Sequence, residues 1–463
     1  MRFKNLIISL FTIAILVTSS VSAQDKELTL NDCIELALSS RASIVAARGR
    51  EDVAKAGKLA ALGAFLPRVS ASYDYSKGKE TAIDPMNVVG SDYVTRLDTT
   101  DIGGQVAIDA VTEPTTFTTF DEQDIGPNKS LSLSGRMEIL NFGNFFALSE
   151  AGANKDAAHL DVLNSEQDLI YSVKVSYFAY LAAVENVAVQ EEAVKRSEEQ
   201  LKLIQSRYDL GSASLSDVLK QKVQFGNDQL ALLTASNTVV TAEASLAYTV
   251  GLDPNKNYTF SKDYITHDYN GSVDDAINFG IEHEPGFLAT QKNLSASKSG
   301  VKSAVADYLP SLSLNASYSK FNGTQAFPTV FEYSSNTLRY GFSVSWNIFD
   351  GFNRERSVTI AKINRNNAMA QLADTRNLLA REVKTAYYDI EQQKKSKNIA
   401  QANVDASTED LKITQEKYNL GAATILDILN AQVSLKTAQV SLIRADFDLN
   451  LAVARLENAM GKM

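Results

Sequence analysis

The sequence predicts a mainly helical chain that carries a transmembrane β part, and three observations support it. Its two halves repeat each other, four short runs alternate apolar with polar residues, and two helical patterns of about 64 residues contain no proline. The repeat comes first, because missing it would miscall the architecture. Arg207–Leu219 recurs as Lys417–Leu429, sharing Tyr-x-Leu-Gly-x-Ala-x-x-x-Asp-x-Leu, and Phe65-Leu66-Pro67 recurs as Tyr308-Leu309-Pro310. The duplication places the first structural repeat at residues 24–270 and the second at 271–463.

Residues 1–23 read as a secretory signal. Arg2 and Lys4 open it, Leu6 to Val17 form an apolar core too short for a membrane span, and Val21-Ser22-Ala23 is a small-residue cleavage site. No Cys follows Ala23; Cys33, ten positions on, reads as a packed helical residue. From Thr29 to about Phe65 the pattern is helical, with Thr29 or Asn31 as cap, and Leu66-Pro67 ends it. The period then becomes two. Val69, Ala71, Tyr73 and Tyr75 alternate with Ser70, Ser72 and Asp74, and Leu131, Leu133, Met137 and Ile139 with Ser132, Arg136 and Glu138. The second half repeats this at 310–350, where Leu312, Leu314 and Tyr318 precede Tyr340, Phe342, Val344 and Trp346. Runs of about nine to eleven residues suit tilted transmembrane strands. Gly143 lies 76 positions after Pro67, but Gly351 only 41 after Pro310. The excess, mainly residues 77–129, reads as a long extracellular loop, where insertion is cheap.

The long patterns, Asn144 to Arg207 and Arg354 to Lys417, would each reach roughly 95 Å as a helix, far more than one bilayer. Each ends at a tip, near 208–217 and 418–427, where glycine suits a left-handed C′ position. A helix from Leu215 to Val250 follows, closed by Gly251, and Ser272 caps the next, which leads to Leu309-Pro310. The loop from Asp253 to Gly271 is expected as a belt. No other segment reaches the length and apolarity of a membrane-spanning helix.

Four amphipathic strands cannot stand alone in lipid, because open edges leave backbone groups unpaired. Other copies must complete them; three would supply twelve strands, and two or four would also close a sheet. One Cys excludes an intrachain disulfide, and a formal net charge of -10 argues against a nucleic-acid partner. His159, His267 and His283 have no metal-ligand spacing, and no phosphate loop or nucleophile elbow occurs. An enzyme, a metal site and a cofactor are therefore not expected.

The repeated Tyr-x-Leu-Gly tips, the Leu-Pro junctions, the export signal and the duplicated order together resemble the outer membrane efflux protein family, across about Leu28 to Gly461. The resemblance implies a TolC-like α/β-barrel: four strands per chain completing a trimeric 12-stranded barrel on a long periplasmic helical tunnel, in the cell outer membrane. It also implies a passive exit duct of a tripartite efflux or type I secretion system. Its partners would be the other two protomers, outer-membrane lipid, a periplasmic adaptor (membrane fusion) protein and an inner-membrane pump of RND, ABC or MFS type. Adaptor-docking tips would comprise Tyr208, Leu210, Gly211 and Ser212 with Tyr418, Leu420, Gly421 and Ala422. Asp217 and Asp427 would form acidic rings at the periplasmic gate, one turn or more inside the returning helices. Lys220 and Asn430 replace an acid common in the family, and Ala423 stands where some members carry a base, so any lock here differs. The alternative, a soluble periplasmic coiled-coil adaptor or scaffold, would show one hairpin flanked by compact β-rich domains rather than two equal halves.

Overall fold

In the computed structural model the described residues are 27–83, 93–102, 105–114, 120–262, 269, 271–326 and 330–462; the expected signal at 1–23 lies outside them. The chain forms two compact units. One runs up to Lys55 and takes in Ala153–Ser295 and Asn366–Met463; the other comprises Ala56–Gly152 and Ala296–Arg365.

The helices are α1 (Leu30–Ser40), α2 (Ala42–Gly63), α3 (Phe142–Asp209), α4 (Leu215–Val250), α5 (Val273–His283), α6 (Pro285–Ala306), α7 (Asn353–Asn419) and α8 (Ile425–Ala459). The two proline-free patterns are single helices of 68 and 67 residues. Four helix starts carry the same capping box. Thr29, Ser214, Ser272 and Thr424 accept from the N3 amides of Asp32, Asp217, Asp275 and Asp427, whose carboxylates reach back to the cap amides. Thr29 is thus the cap of α1.

The segments expected as single helices after Thr29 and Ser272 are each broken, at Arg41 and Glu284. In the second half Pro285 forces its predecessor out of the helix, and the Glu284 carboxylate accepts from the amides of Gly286 and Phe287. In the first half no proline is present. Instead Ser39 and Ser40 turn their hydroxyls onto the Leu36 carbonyl, while Arg41 donates to the Tyr248 carbonyl at 2.9 Å and stacks over that ring. Such side-chain competition with the backbone weakens the last turn.

The first unit has two main cores. Cys33, Ala37, Ile44, Val173, Tyr177, Phe178, Leu246, Val250 and Phe260 fill one. Ala276, Phe287, Leu379, Val383, Ala386, Ile390, Val453 and Leu456 fill the other. The expected belt enters the first core: Leu28 bridges Phe260 in parallel, and the fully buried Tyr177 donates to the Ser261 carbonyl at 2.5 Å. Burial, with a smaller contribution from the Asp32 charge, pushes the Cys33 thiol up to about 12. On the order of one thiol in 10,000 is then ionised at pH 8. Cys33 should therefore resist iodoacetamide in the native protein and react at once in denaturant; native labelling at the denatured rate would contradict its packing.

The strands are β1 (Arg68–Ile83), β2 (Tyr93–Ile102), β3 (Gln105–Pro114), β4 (Phe120–Leu140), β5 (Ser311–Ala326) and β6 (Val330–Ser345). The four expected strands form one antiparallel sheet in the order β1-β4-β5-β6, and β2 pairs with β3. They are longer than expected, at 16, 21, 16 and 16 residues. Much of the segment 77–129 is thus strand rather than loop, because β1 pairs with β4 up to Ile83–Phe120 and the extra hairpin lies between them. Trp346 lies one residue beyond β6, not on it, and its indole N–H donates to the Tyr308 carbonyl at 3.1 Å. One sheet face is apolar and exposed, with Val69, Tyr73, Leu133, Leu314, Leu338, Tyr340 and Phe342. The other is a serine ladder, in which Ser70 meets Ser134, Ser72 meets Ser132 and Ser313 meets Ser343 at 2.7–2.8 Å.

Helix α4 also departs from expectation. It holds an apolar stretch long enough to cross a membrane by length and composition. Its Leu230, Leu233 and Val240 are exposed, while Asp228 lies on its buried seam.

Candidate functional site: the hairpin tips

Both long hairpins turn through a Schellman motif. Gly211 and Gly421 adopt φ of 75° and 76°, a left-handed backbone that glycine alone accepts without strain. The Ser212 amide donates to the Arg207 carbonyl, and the Ala422 amide to the Lys417 carbonyl, both at 2.8 Å. These bonds satisfy the last carbonyls of α3 and α7. Beyond each turn the chain re-enters a helix through its capping box.

The two tips pack on each other. Ile204, Val218, Ile425 and Ile428 are buried together, with Leu201, Ala213, Tyr418 and Leu429 around them. Arg207 closes this small core. Its guanidinium lies over the Tyr418 ring at 5.0 Å and donates to Asn419 Oδ1 at 2.8 Å. The matching tyrosines therefore differ: Tyr208 is exposed, whereas Tyr418 is half-buried beneath Arg207. Leu210 and Leu420 are each 84 % exposed, and Gly211, Ser212, Gly421 and Ala422 are exposed beside them. Two apolar side chains held in water on rigid turns are what a partner's helix could cover.

Asp217 and Asp427 lie in the first helical turn, at N3, rather than deeper as the sequence suggests. In each, one carboxylate oxygen serves the cap. Asp217 Oδ2 accepts from Ser214 Oγ at 2.8 Å, and Asp427 Oδ2 from the Thr424 amide and hydroxyl, both at 2.7 Å. The bond from the Thr424 amide, then that from its hydroxyl, holds the Asp427 carboxyl below its usual range. Lys220 approaches Asp217 Oδ1 at 4.0 Å, so the first acid is partly balanced within its own turn. Among the described residues no three His, Cys, Asp or Glu side chains are grouped to hold a metal ion.

One further group is not evident from the sequence alone. Eleven residues along α4 from Asp217, Asp228 is buried and accepts from Lys436 Nζ of α8 at 2.7 Å and from Gln224 Nε2 at 3.1 Å. Gln221, fully buried about two turns nearer the tip, donates to the Ser197 carbonyl of α3 at 3.1 Å. The available signal was the seam itself. Val218, Gln221, Phe225, Asp228, Leu232 and Ala235 follow three-four spacing, so an acid occupies a position where the pattern calls for an apolar residue.

With this geometry in hand, comparison with known proteins decides the family. The sequence profile of the family described as "Outer membrane efflux protein" matches residues 33–252 and 279–462. The chain belongs to the outer membrane efflux protein family. It is similar to the outer membrane efflux protein BepC of Brucella suis biovar 1 (strain 1330), 26 % identical over 65 % of this chain and 64 % of that protein. It is also similar to the outer membrane protein TolC of Vibrio cholerae, 23 % identical over 72 % of this chain and 77 % of the other. The fold matches the solved outer-membrane channel OprN, with a TM-score of 0.74 at 19 % identity over 94 % of this chain and 90 % of that one. As a member of the outer membrane efflux protein family, the chain is an outer-membrane protein with a large periplasmic helical part.

Proposed function

We propose that three copies of the chain close a 12-stranded barrel in the outer membrane and form the exit duct of a tripartite efflux or type I secretion system. The observation that carries this reading is the sheet. It is a four-stranded sheet edged by β1 and β6, with one exposed apolar face and one serine face. Edges left open in hydrocarbon cost several kcal/mol per backbone group, so pairing β1 of one copy with β6 of the next supplies what a single chain lacks. The exposed apolar residues of α4 meet a neighbouring protomer in the same assembly. The duct is passive and carries out no catalysis; residues 24–270 and 271–463 are its duplicated halves.

The tips supply the docking. Leu210 and Leu420, with Tyr208, Gly211, Ser212, Gly421, Ala422 and the half-covered Tyr418, receive the helical hairpins of a periplasmic adaptor, which links the duct to an inner-membrane pump. Names of relatives such as the pyoverdine export outer membrane protein OpmQ of Pseudomonas putida support a place in an export system. Asp217 and Asp427 form two rings of acids at the periplasmic gate, each with one oxygen held by its cap. A soluble scaffold is the lesser reading, since it leaves the exposed apolar sheet face without a cover.

Single-channel recording in planar bilayers tests the gate. The native channel should conduct and be blocked by divalent cations added on the tip side, since clustered like charges attract them. Asp217→Asn with Asp427→Asn keeps an oxygen for each cap but removes the charge, and should weaken that block severalfold. An unchanged block would place these acids away from the constriction.

A further inference from the structure

We propose that the serine face of the sheet carries a binding site for small oxyanions, built by Arg68, Arg136 and Arg339. The strand register assembles it. Arg68 of β1 stands directly opposite Arg136 of β4, Arg136 opposite Asn315 of β5, and Asn315 opposite Gly341 of β6. Two residues along, Ser70, Ser134, Ser317 and Arg339 form the next row. Opposed residues of an antiparallel pair share a face, and residues two apart return to it. All three arginines therefore face the same way as the serines. Together with Ser70, Ser134 and Asn315 they line one open concavity of about 480 Å³.

Among the described residues no acid pairs directly with this charge. Like charges directly opposed across a strand pair are destabilising, yet none of the three arginines makes an ion pair among the described residues. Among the described residues, Glu138 and Asp74 share this face but are bonded to neutral groups rather than to the arginines. Glu138 accepts from the side-chain amides of Asn141 and Asn144 at 2.8 and 2.9 Å, and Asp74 accepts from Ser130 Oγ at 3.2 Å. A chain of net charge -10 thus reverses sign at one polar hollow.

The chemistry selects the occupant. A guanidinium is always charged and offers paired N–H donors that match the two oxygens of a carboxylate, sulfate or phosphate. The neighbouring hydroxyls add donors without adding charge. The ligand is therefore a free oxyanion, or a solute bearing one, taken from water. A phosphate headgroup of lipid shares that chemistry, but lipid belongs against the opposite face, with Val69, Tyr73 and Leu133. The inference rests on one chain's sheet and register, not on three copies forming a conducting duct.

Equilibrium dialysis of the full-length, detergent-solubilised protein against radiolabelled inorganic pyrophosphate at low salt tests it. The wild type should bind saturably. Arg68→Gln with Arg136→Gln, and Arg339→Gln alone, should each weaken binding by about tenfold or more, since each removes charge-assisted bonds. Arg136→Lys, which keeps the charge but loses the fork, should lie between. Sulfate and citrate should compete; phosphatidylglycerol in the micelle should not. Absence of saturable binding by the wild type would overturn the site, as would unchanged binding by the glutamine variants. Displacement by phosphatidylglycerol would assign the anion to the lipid-facing surface instead. Because dialysis needs no conductance, a duct that fails to conduct would leave this result standing by itself.

Discussion

Asp228→Ala is expected to lower the unfolding free energy of the helical unit by about 3–5 kcal/mol, because it strands Lys436 beside a buried seam. The acid side chain is only 5 % exposed and that of Lys436 21 %, so water screens the pair little. Lys436→Met should cost a similar amount, leaving a buried carboxylate with Gln224 as its remaining donor. The double variant Asp228→Leu with Lys436→Met should recover most of the loss, since an apolar pair needs no desolvation. Helical circular dichroism against guanidinium concentration reads all three. Single losses below about 1 kcal/mol, the range of a solvated surface pair, would contradict the burial. The pair ties α4 to α8, the two returning helices, so its loss should also loosen the tips that share that packing.

Gly211→Val with Gly421→Val is expected to abolish export while leaving the protein in the outer membrane. At φ of 75° and 76° a side chain forces a backbone change costing about 1–2 kcal/mol per residue. No heavy atom lies within 4 Å of where either Cβ would stand, so the cost is conformational rather than a clash. The chain relieves it by re-forming the turn, which moves Leu210 and Leu420, the most exposed apolar groups at the tips. Packing far from the tips is untouched, so outer-membrane fractions should contain normal amounts of folded protein. Export by the host strain, measured against a deletion strain, should fall to the deletion level; normal export would remove the tips from the docking role.

Both predictions draw on positions that the sequence revealed unequally. The tip glycines were legible because a left-handed turn admits few residues and the motif occurs twice. The sheet was legible too, since alternation with a period of two puts every apolar side chain on one face of a strand and every polar one on the other. Strand lengths were not. The polar, Thr- and Asp-rich segment 77–129 lost the apolar signal while still pairing through its backbone as far as Ile83 and Phe120. The breaks at Arg41 and Glu284 were missed for different reasons. Pro285 was an available signal, whereas Arg41 is set by contacts to Tyr248, some 200 residues away. The capping role of Asp217 and Asp427 is spelled by Ser214 and Thr424 three residues earlier, a local signal independent of their charge. Asp228 needed its partner on α8, and a single sequence does not pair position 228 with position 436. The three arginines of the sheet were equally silent, because only register brings Arg339 into the same hollow as Arg68 and Arg136.

Closure of the barrel requires the sheet to be one part of a structure shared among copies. Its most direct test is the native mass of the protein extracted in detergent from outer membranes. Three chains per particle, released only by detergent, are expected. A monomer recovered without detergent would contradict it, and the exposed apolar face of the sheet would then need a different cover.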